Sequence, residues 1–175
     1  GMFEMHVNGQ KTTEAVFEPG ESNYDKKVFY VNYDITDKVQ SGENAVGVYI
    51  GKGFYYNNAD VGDRRNRAPK IWGPLMFIAQ IEVTYTDGTK DIFCTDTSWK
   101  YTAGPVKEAV WLAGEDYDAR NEIPGFATTD WDISSWENCV TVEESDYPFE
   151  YMQAKDYNSV RPVEEVPVVS CTKLG

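Results

Sequence analysis

Short runs in which apolar and polar residues alternate recur along the chain, with turn signals about every ten residues. The clearest pair of runs spans residues 81–85 and 92–94, joined by Asp87 and Gly88. Asp-Gly supplies the positive φ angles of a tight two-residue turn, so this segment predicts a β-hairpin. Repeated at this spacing, the pattern is typical of an antiparallel β-sandwich.

Three other runs, at residues 5–7, 27–33 and 45–50, show the same alternation, and the first of them is followed by Asn8 and Gly9. Helical signals are sparse and amount to one or two short turns, predicted at residues 34–39 and 129–136. The chain therefore belongs to the all-β class.

The composition changes after about residue 151. We predict a folded β-sandwich accessory domain at residues 3–158. Residues 159–175 are predicted to form an extended connector and the truncated start of a following domain, because residues 161–169, with Pro162 and Pro167, are typical of an extended linker. A length of 175 residues fits one domain with a fragment of another.

Charge excludes one class of partner. The chain has 16 Lys and Arg against 29 Asp and Glu, a formal net charge of −13, whereas nucleic-acid binders carry clustered basic excess. The one basic cluster, at residues 64–70, is interpreted as a solvated loop. No apolar run approaches the roughly 20 residues that a membrane span needs, so no membrane partner is expected.

The sequence offers few of the residues that nucleophilic catalysis of the Ser-His or Cys-His type needs. There is one histidine, His6, and the three cysteines (Cys94, Cys139 and Cys171) are too widely spaced to indicate a disulfide framework or a zinc site. The densest acidic group is Glu115, Asp116 and Asp118, for which the residues leave three interpretations open: a solvated loop, a calcium site, or a carboxylate pair of a glycosidase. Arg120 is expected to pair with one of these acids as a loop clamp.

Aromatic residues make up 14% of the chain, and several lie in polar, glycine-rich segments instead of alternating strands. Sugars are bound by this mixture, because a pyranose stacks its apolar face on a ring while its hydroxyls bond to carboxylate, amide or guanidinium groups. The candidate ligand-binding residues are Asn23, Tyr24, Asp25, Phe54, Tyr55, Trp72, Tyr117, Asp118 and Arg120.

Several segments, taken in order, resemble the N-terminal β-sandwich domain of bacterial α-L-rhamnosidases. The most specific are residues 18–30, similar to that family's Pro-Gly-x-x-x-Tyr-Asp-x-Arg-Val pattern, and residues 114–120, with Gly-Glu-Asp-Tyr-Asp-Ala-Arg. Residues 51–55 are similar to the family's Gly-Asn-Gly-Trp-Tyr, with Phe54 at the Trp position. The resemblance runs from about residue 5 to about residue 170.

This resemblance implies a jelly-roll or galactose-binding-like sandwich without catalytic residues, attached to a catalytic helical barrel of the same parent chain. It implies carbohydrate binding, with a rhamnose-containing glycan as ligand and calcium as a possible cofactor, for which Asp25 is the candidate ligand. Lys26 follows Asp25, and its ammonium group would oppose a divalent cation. The alternative is a purely structural domain that packs on the barrel and shapes its cleft. An independent enzyme using Glu115 and Asp118 ranks third.

Overall fold

The computed structural model describes residues 1–57, 70–110 and 114–173. Almost all of its regular structure is β-strand, with two short 3-10 helical turns at Ala119–Asn121 and Glu144–Asp146. In chain order, the strands in these residues are β1 (Met2–Val7), β2 (Gln10–Lys11), β3 (Lys27–Tyr30), β4 (Val46–Gly51), β5 (Tyr56–Asn57), β6 (Lys70–Ile71), β7 (Gln80–Thr84), β8 (Lys90–Cys94), β9 (Lys100–Tyr101), β10 (Val106–Val110), β11 (Gly114–Tyr117), β12 (Glu137–Asn138) and β13 (Tyr151–Ala154). The predicted all-β class is confirmed.

The sheet with the longest strands has the order β2-β1-β4, and both of its pairings are antiparallel. Asn8 and Gly9 turn the chain between β1 and β2 with φ angles of 49° and 79°. Both values lie in the left-handed region, which asparagine and glycine tolerate best, so this turn is encoded locally. Val7 ends β1 with its side chain fully buried.

The predicted hairpin is also confirmed. β7 and β8 pair antiparallel, with Ile81 opposite Phe93 and Thr84 opposite Lys90. Gly88 has a φ of 86°, but Asp87 does not have the positive φ that the sequence predicted for it, so the turn adopts the left-handed conformation at Gly88 alone. The Gly88 N–H donates to the Tyr85 carbonyl at 3.0 Å. Three further antiparallel pairs join β5 to β6, β9 to β12 and β10 to β11. The two-layer sandwich and the jelly-roll strand order stay predictions.

One pairing departs from the antiparallel pattern. β13 lies parallel to β3, with Tyr151 opposite Lys27 and Ala154 opposite Tyr30. Turn signals predict only neighbours that a tight turn can join, and parallel strands need a long connection, so the sequence pattern did not indicate this pair. A bridge between Val16 and Val160 continues the contact with the end of the chain. The domain division at residues 158 and 159 stays a prediction.

The two 3-10 turns lie outside the segments predicted to form helical turns. Residues 34–39 and 129–136 form isolated hydrogen-bonded turns. The Asp34 carboxylate accepts the Thr36 N–H at 3.0 Å, and the Asp132 carboxylate accepts the Ser134 N–H at 2.8 Å. The Asp34 carboxylate caps a single turn, in which the Ile35 carbonyl accepts the N–H groups of Lys38 and Val39, as predicted for residues 34–39.

Two further features of the described residues concern the cysteines and membrane-spanning helices. Cys94, Cys139 and Cys171 are free thiols. Within the described ranges, no helix has the length and apolar character needed to cross a bilayer. Arg64, Arg65 and Arg67 of the predicted basic loop lie outside the described residues.

Candidate functional site

The loop before β3 carries three of the predicted ligand residues. The Asn23 side-chain oxygen accepts the Asp25 N–H at 3.2 Å, and the Asn23 carbonyl accepts the N–H groups of Lys26 and Lys27, both at 2.8 Å. Asparagine favours such turns because its short amide can bond to the backbone two residues ahead. The turn leaves the side chains of Asn23 and Asp25 exposed and buries Tyr24 between them.

Trp72 comes to this loop from a distant part of the chain. Its indole Nε1 donates to Asp25 Oδ1 at 2.9 Å, and its ring meets the Tyr24 ring edge to face with centroids 5.1 Å apart. Tyr55 packs against the other side of the cluster, perpendicular to Tyr24 at 5.4 Å. The structure therefore brings together Asn23, Tyr24, Asp25, Tyr55 and Trp72, which we call the Trp72 cluster.

Burial divides the Trp72 cluster into two layers. The side chains of Tyr24 and Tyr55 are only 3% and 4% exposed, whereas Trp72 is half-buried. The two tyrosine rings therefore form a base that supports Trp72 and the loop. Trp72 and the polar groups of Asn23 and Asp25 remain accessible to solvent above this base.

The hydroxyl groups of Tyr24 and Tyr55 are buried, and neither has a hydrogen-bond partner within the described part of the chain. Burying a hydroxyl without a partner is costly, so these two groups reduce the stability of the base. Gly73 leaves the room they need: a Cβ there would lie 2.9 Å from the Tyr55 hydroxyl.

Burial also perturbs the ionisation of these phenols. It raises the pKa of Tyr24 from 10.0 to about 12, with a smaller contribution from the Glu21 carboxylate, and burial raises the pKa of Tyr55. In both residues the folded protein favours the neutral phenol, because a buried phenolate would lose its hydration.

We expect the free energy of unfolding to fall as the pH rises from about 10, the ordinary tyrosine value, to about 12. In that window the unfolded chain releases the Tyr24 proton while the folded chain retains it, so alkaline pH favours unfolding. Urea unfolding at about pH 9 and about pH 11 measures the loss, and Tyr24→Phe should make it smaller. An equal loss in wild type and Tyr24→Phe would contradict this assignment.

Phe54 and Lys52 belong to the segment between β4 and β5. Phe54 is half-buried in the turn that leads to Tyr55. The ammonium group of Lys52 pairs with the Glu108 carboxylate on β10 at 2.8 Å and lies 5.3 Å from the centroid of the Tyr56 ring. The ion pair ties this segment to a neighbouring hairpin.

The remaining predicted residues form a second group, at the end of β11. The Asp118 carboxylate caps the 3-10 turn by accepting the Arg120 N–H at 3.1 Å, and it receives two guanidinium bonds from Arg120 at 2.8 and 2.7 Å. These bonds hold the pKa of Asp118 below its ordinary value. The Tyr117 hydroxyl donates to Glu122 at 2.8 Å. Arg120 thus forms the predicted ion pair with a neighbouring acid.

The sequence offers two places for a calcium ion, Asp25 and the acidic group of Glu115, Asp116 and Asp118. Calcium takes six to eight oxygen ligands, usually including several carboxylates. In the described ranges, no three His, Cys, Asp or Glu side chains come together as a metal site would require. Asp25 is the one acid of the Trp72 cluster, and its Oδ1 already accepts the Trp72 indole. Calcium binding at Asp25 stays a prediction.

Sequence reasoning missed two residues that the structure places behind the Asn23 loop. Glu18 and Lys155 form an ion pair with both Nζ–Oε distances at 3.0 Å. Both side chains are almost wholly buried. A signal was present in the sequence, since Glu18 lies between an aromatic residue and a Pro-Gly turn, but nothing local connects it to position 155.

Comparison with known proteins gives a consistent result. Residues 1–164 match the family described as "Alpha-L-rhamnosidase N-terminal domain". An alpha-L-rhamnosidase of Formosa agariphila is 39% identical over 137 residues, covering 78% of this chain and 14% of that protein. One from Streptomyces avermitilis is 32% identical over 179 residues, covering 99% of this chain and 16% of that protein.

Two solved structures have similar folds. The alpha-L-rhamnosidase from Dictyoglumus thermophilum superposes with a TM-score of 0.77 at 32% identity, over 94% of this chain and 17% of that one. The Streptomyces avermitilis enzyme, solved in complex with L-rhamnose, has a TM-score of 0.71 at 34% identity, over 79% of this chain and 13% of that one. The chain thus spans less than a fifth of the length of these relatives.

Proposed function

The chain belongs to the family of alpha-L-rhamnosidase N-terminal domains, and we propose that it acts as a non-catalytic carbohydrate-binding module of a larger rhamnosidase. The observation that carries this proposal is the contact between Trp72 and Asp25, 2.9 Å from indole nitrogen to carboxylate oxygen, beside the exposed amide of Asn23. It combines a ring for an apolar sugar face with polar groups for hydroxyls.

The proposed ligand is a terminal L-rhamnose unit of a glycan. Rhamnose is uncharged and bears a methyl group, so an aromatic surface suits it better than a charged pocket does. The Streptomyces avermitilis relative was solved with L-rhamnose, which supports this choice of sugar. The parent protein would remove such units with catalytic residues of a helical barrel elsewhere in the same chain.

Asp118 does not suit the general-acid role of a glycosidase. The general acid of a glycosidase carries a raised pKa so that it is protonated when the leaving group departs. The bonds from Arg120 act in the opposite direction and lower the pKa of Asp118. Glu115, the other member of the proposed carboxylate pair, is exposed on β11.

Isothermal titration of L-rhamnose into the domain tests the proposal. We expect saturable binding, measured once with calcium and once with EDTA. Because the Trp72 cluster offers one carboxylate, we expect the same affinity in both conditions. Binding only with calcium would move the site to a ligand set other than this cluster, and no binding in either condition would refute the proposal.

Trp72→Ala is expected to weaken rhamnose binding by tenfold or more. The change removes the donor to Asp25 and the stacking surface, and an aromatic pair is worth about 0.5–1.5 kcal/mol beyond the area that it buries. Tenfold in affinity corresponds to about 1.4 kcal/mol. Trp72→Phe keeps a ring but removes the indole N–H, so it should retain part of the affinity. The matched control is Trp99→Ala, since Trp99 packs with Phe77 away from this cluster. Equal losses in the Trp72 and Trp99 variants would argue against a Trp72 site.

A second candidate function is purely structural, and the exposed surface favours it. Apolar side chains are exposed on the β7–β8 hairpin, where those of Ile92 and Phe93 are more than half exposed. Such surface is typical of domains that pack against another part of a protein.

Deleting the domain from the parent protein separates the two functions. If the domain is structural, its deletion should lower the melting temperature of the parent while the KM for a rhamnoside substrate changes little. If the domain is a carbohydrate-binding module, its deletion should instead weaken retention of the parent on a rhamnose-containing glycan, with a smaller effect on the melting temperature.

A further inference from the structure

A segment near the end of the chain, residues 150–159, packs against the loop that carries Asn23 and Asp25. We call residues 18–27 the candidate loop and residues 150–159 the terminal segment. The Glu150 N–H donates to the Lys26 carbonyl at 2.8 Å, and the Lys26 ammonium pairs with the Glu150 carboxylate. From there β13 runs parallel to β3, and the Lys155 N–H bonds to the Tyr30 carbonyl at 2.9 Å.

The strongest link between the two segments is the ion pair of Glu18 and Lys155. Their side chains are 2% and 6% exposed. The Lys155 ammonium reaches both carboxylate oxygens at 3.0 Å and also donates to the Ser159 hydroxyl at 3.1 Å. A buried pair of this kind holds its partners in one geometry, because separating them would leave a charge without water or counter-charge.

Tyr157 contacts the candidate loop at Pro19, which is nearer in sequence to Asn23 and Asp25 than Glu18 is. Its hydroxyl donates to the Pro19 carbonyl at 3.1 Å. Gly20, at a φ of 92°, lets the ring approach, since a Cβ at that position would lie 1.9 Å from the Tyr157 hydroxyl. The terminal segment thus contacts the candidate loop at its beginning, through Glu18 and Pro19, and at its end, through Lys26.

We infer that Glu18 and Lys155 are positioning residues for the candidate loop, and that ligand binding on the loop and packing of the terminal segment stabilise each other. The second half of this inference rests on the proposed function. Coupling between two sites is reciprocal, so a ligand that fixes Asn23 and Asp25 also tightens the segment through which the chain continues. The site would in this way be linked to whatever follows residue 159 in the parent.

The positioning role is tested without ligand, by amide hydrogen exchange on the whole chain. The variant Glu18→Leu/Lys155→Met replaces both charged side chains by apolar ones, so neither position keeps a buried charge without its partner. We expect amides of residues 20–27 to exchange at least tenfold faster in it, while β7 and β8 keep their rates. Val7→Ala, which leaves a cavity beside β1, lowers the overall stability without touching the ion pair and therefore serves as the control. Unchanged exchange in the loop of the double variant, or an equal change in Val7→Ala, would overturn the positioning role.

The coupling is tested by adding L-rhamnose. In the wild-type chain we expect slower exchange in residues 150–159 on saturation, and in the double variant a loss of this effect together with about tenfold weaker binding. Wild-type binding without slower exchange in the terminal segment would overturn the coupling. If the wild-type chain binds no rhamnose, the proposed function and the coupling fail together, and the exchange result without ligand still decides the positioning role.

Discussion

Lys155→Met is expected to lower the free energy of unfolding by about 3–5 kcal/mol, the usual cost of removing one partner from a buried ion pair. The Glu18 carboxylate would remain 2% exposed without a counter-charge, and it would have to take up a proton or draw in water. Urea unfolding followed by near-ultraviolet circular dichroism measures the loss.

Two controls distinguish burial from simple loss of charge. Lys90 pairs with Glu82 on the exposed surface of the β7–β8 hairpin, so Lys90→Met should change the stability by no more than about 1 kcal/mol. The double variant Glu18→Leu/Lys155→Met should recover much of the loss, because two apolar side chains can replace a buried pair. If Lys155→Met costs no more than Lys90→Met, the pair does not stabilise the fold.

Tyr24→Ala is expected to cost a similar amount, about 3–5 kcal/mol, as truncations of buried aromatic side chains do. The ring is one of the few side chains that are almost completely shielded from solvent, and it contacts both Tyr55 and Trp72. Its loss leaves a cavity under the loop. Thermal and urea unfolding measure the effect.

Tyr24→Phe removes only the hydroxyl group and is not expected to lower the stability as Tyr24→Ala does. Because that hydroxyl is buried without a partner among the described residues, removing it should leave the stability within about 1 kcal/mol of wild type or raise it. Tyr151→Ala is the control for an exposed tyrosine, with a side chain about half exposed. A larger loss in Tyr24→Phe than in Tyr151→Ala would mean that the hydroxyl makes a stabilising bond.

Together these results would show which residues support the loop of the Trp72 cluster and which contact the ligand. Tyr24, Tyr55, Glu18 and Lys155 are expected to affect binding through stability and loop geometry, because their side chains are buried. Trp72, Asn23 and Asp25 remain accessible and are expected to affect affinity directly. Comparing unfolding free energies with rhamnose affinities across both groups tests this division.

The sequence by itself determined the all-β class, the β7–β8 hairpin and the family. Gly88 supplies the left-handed conformation of the β7–β8 turn, and Asn8 and Gly9 supply that of the turn between β1 and β2. The family follows from motifs in a fixed order along the chain, which needs no knowledge of contacts. Information of this kind lies in neighbouring residues, so it can be read directly.

Only the tertiary structure decided which residues meet. Trp72 bonds to Asp25 across 47 positions, and Lys155 pairs with Glu18 across 137. The aromatic composition marked Tyr24 and Tyr55 as ligand candidates without indicating that both rings are buried. Burial and long-range pairing depend on the packing free energy summed over the whole chain, and no local pattern of residues records that sum.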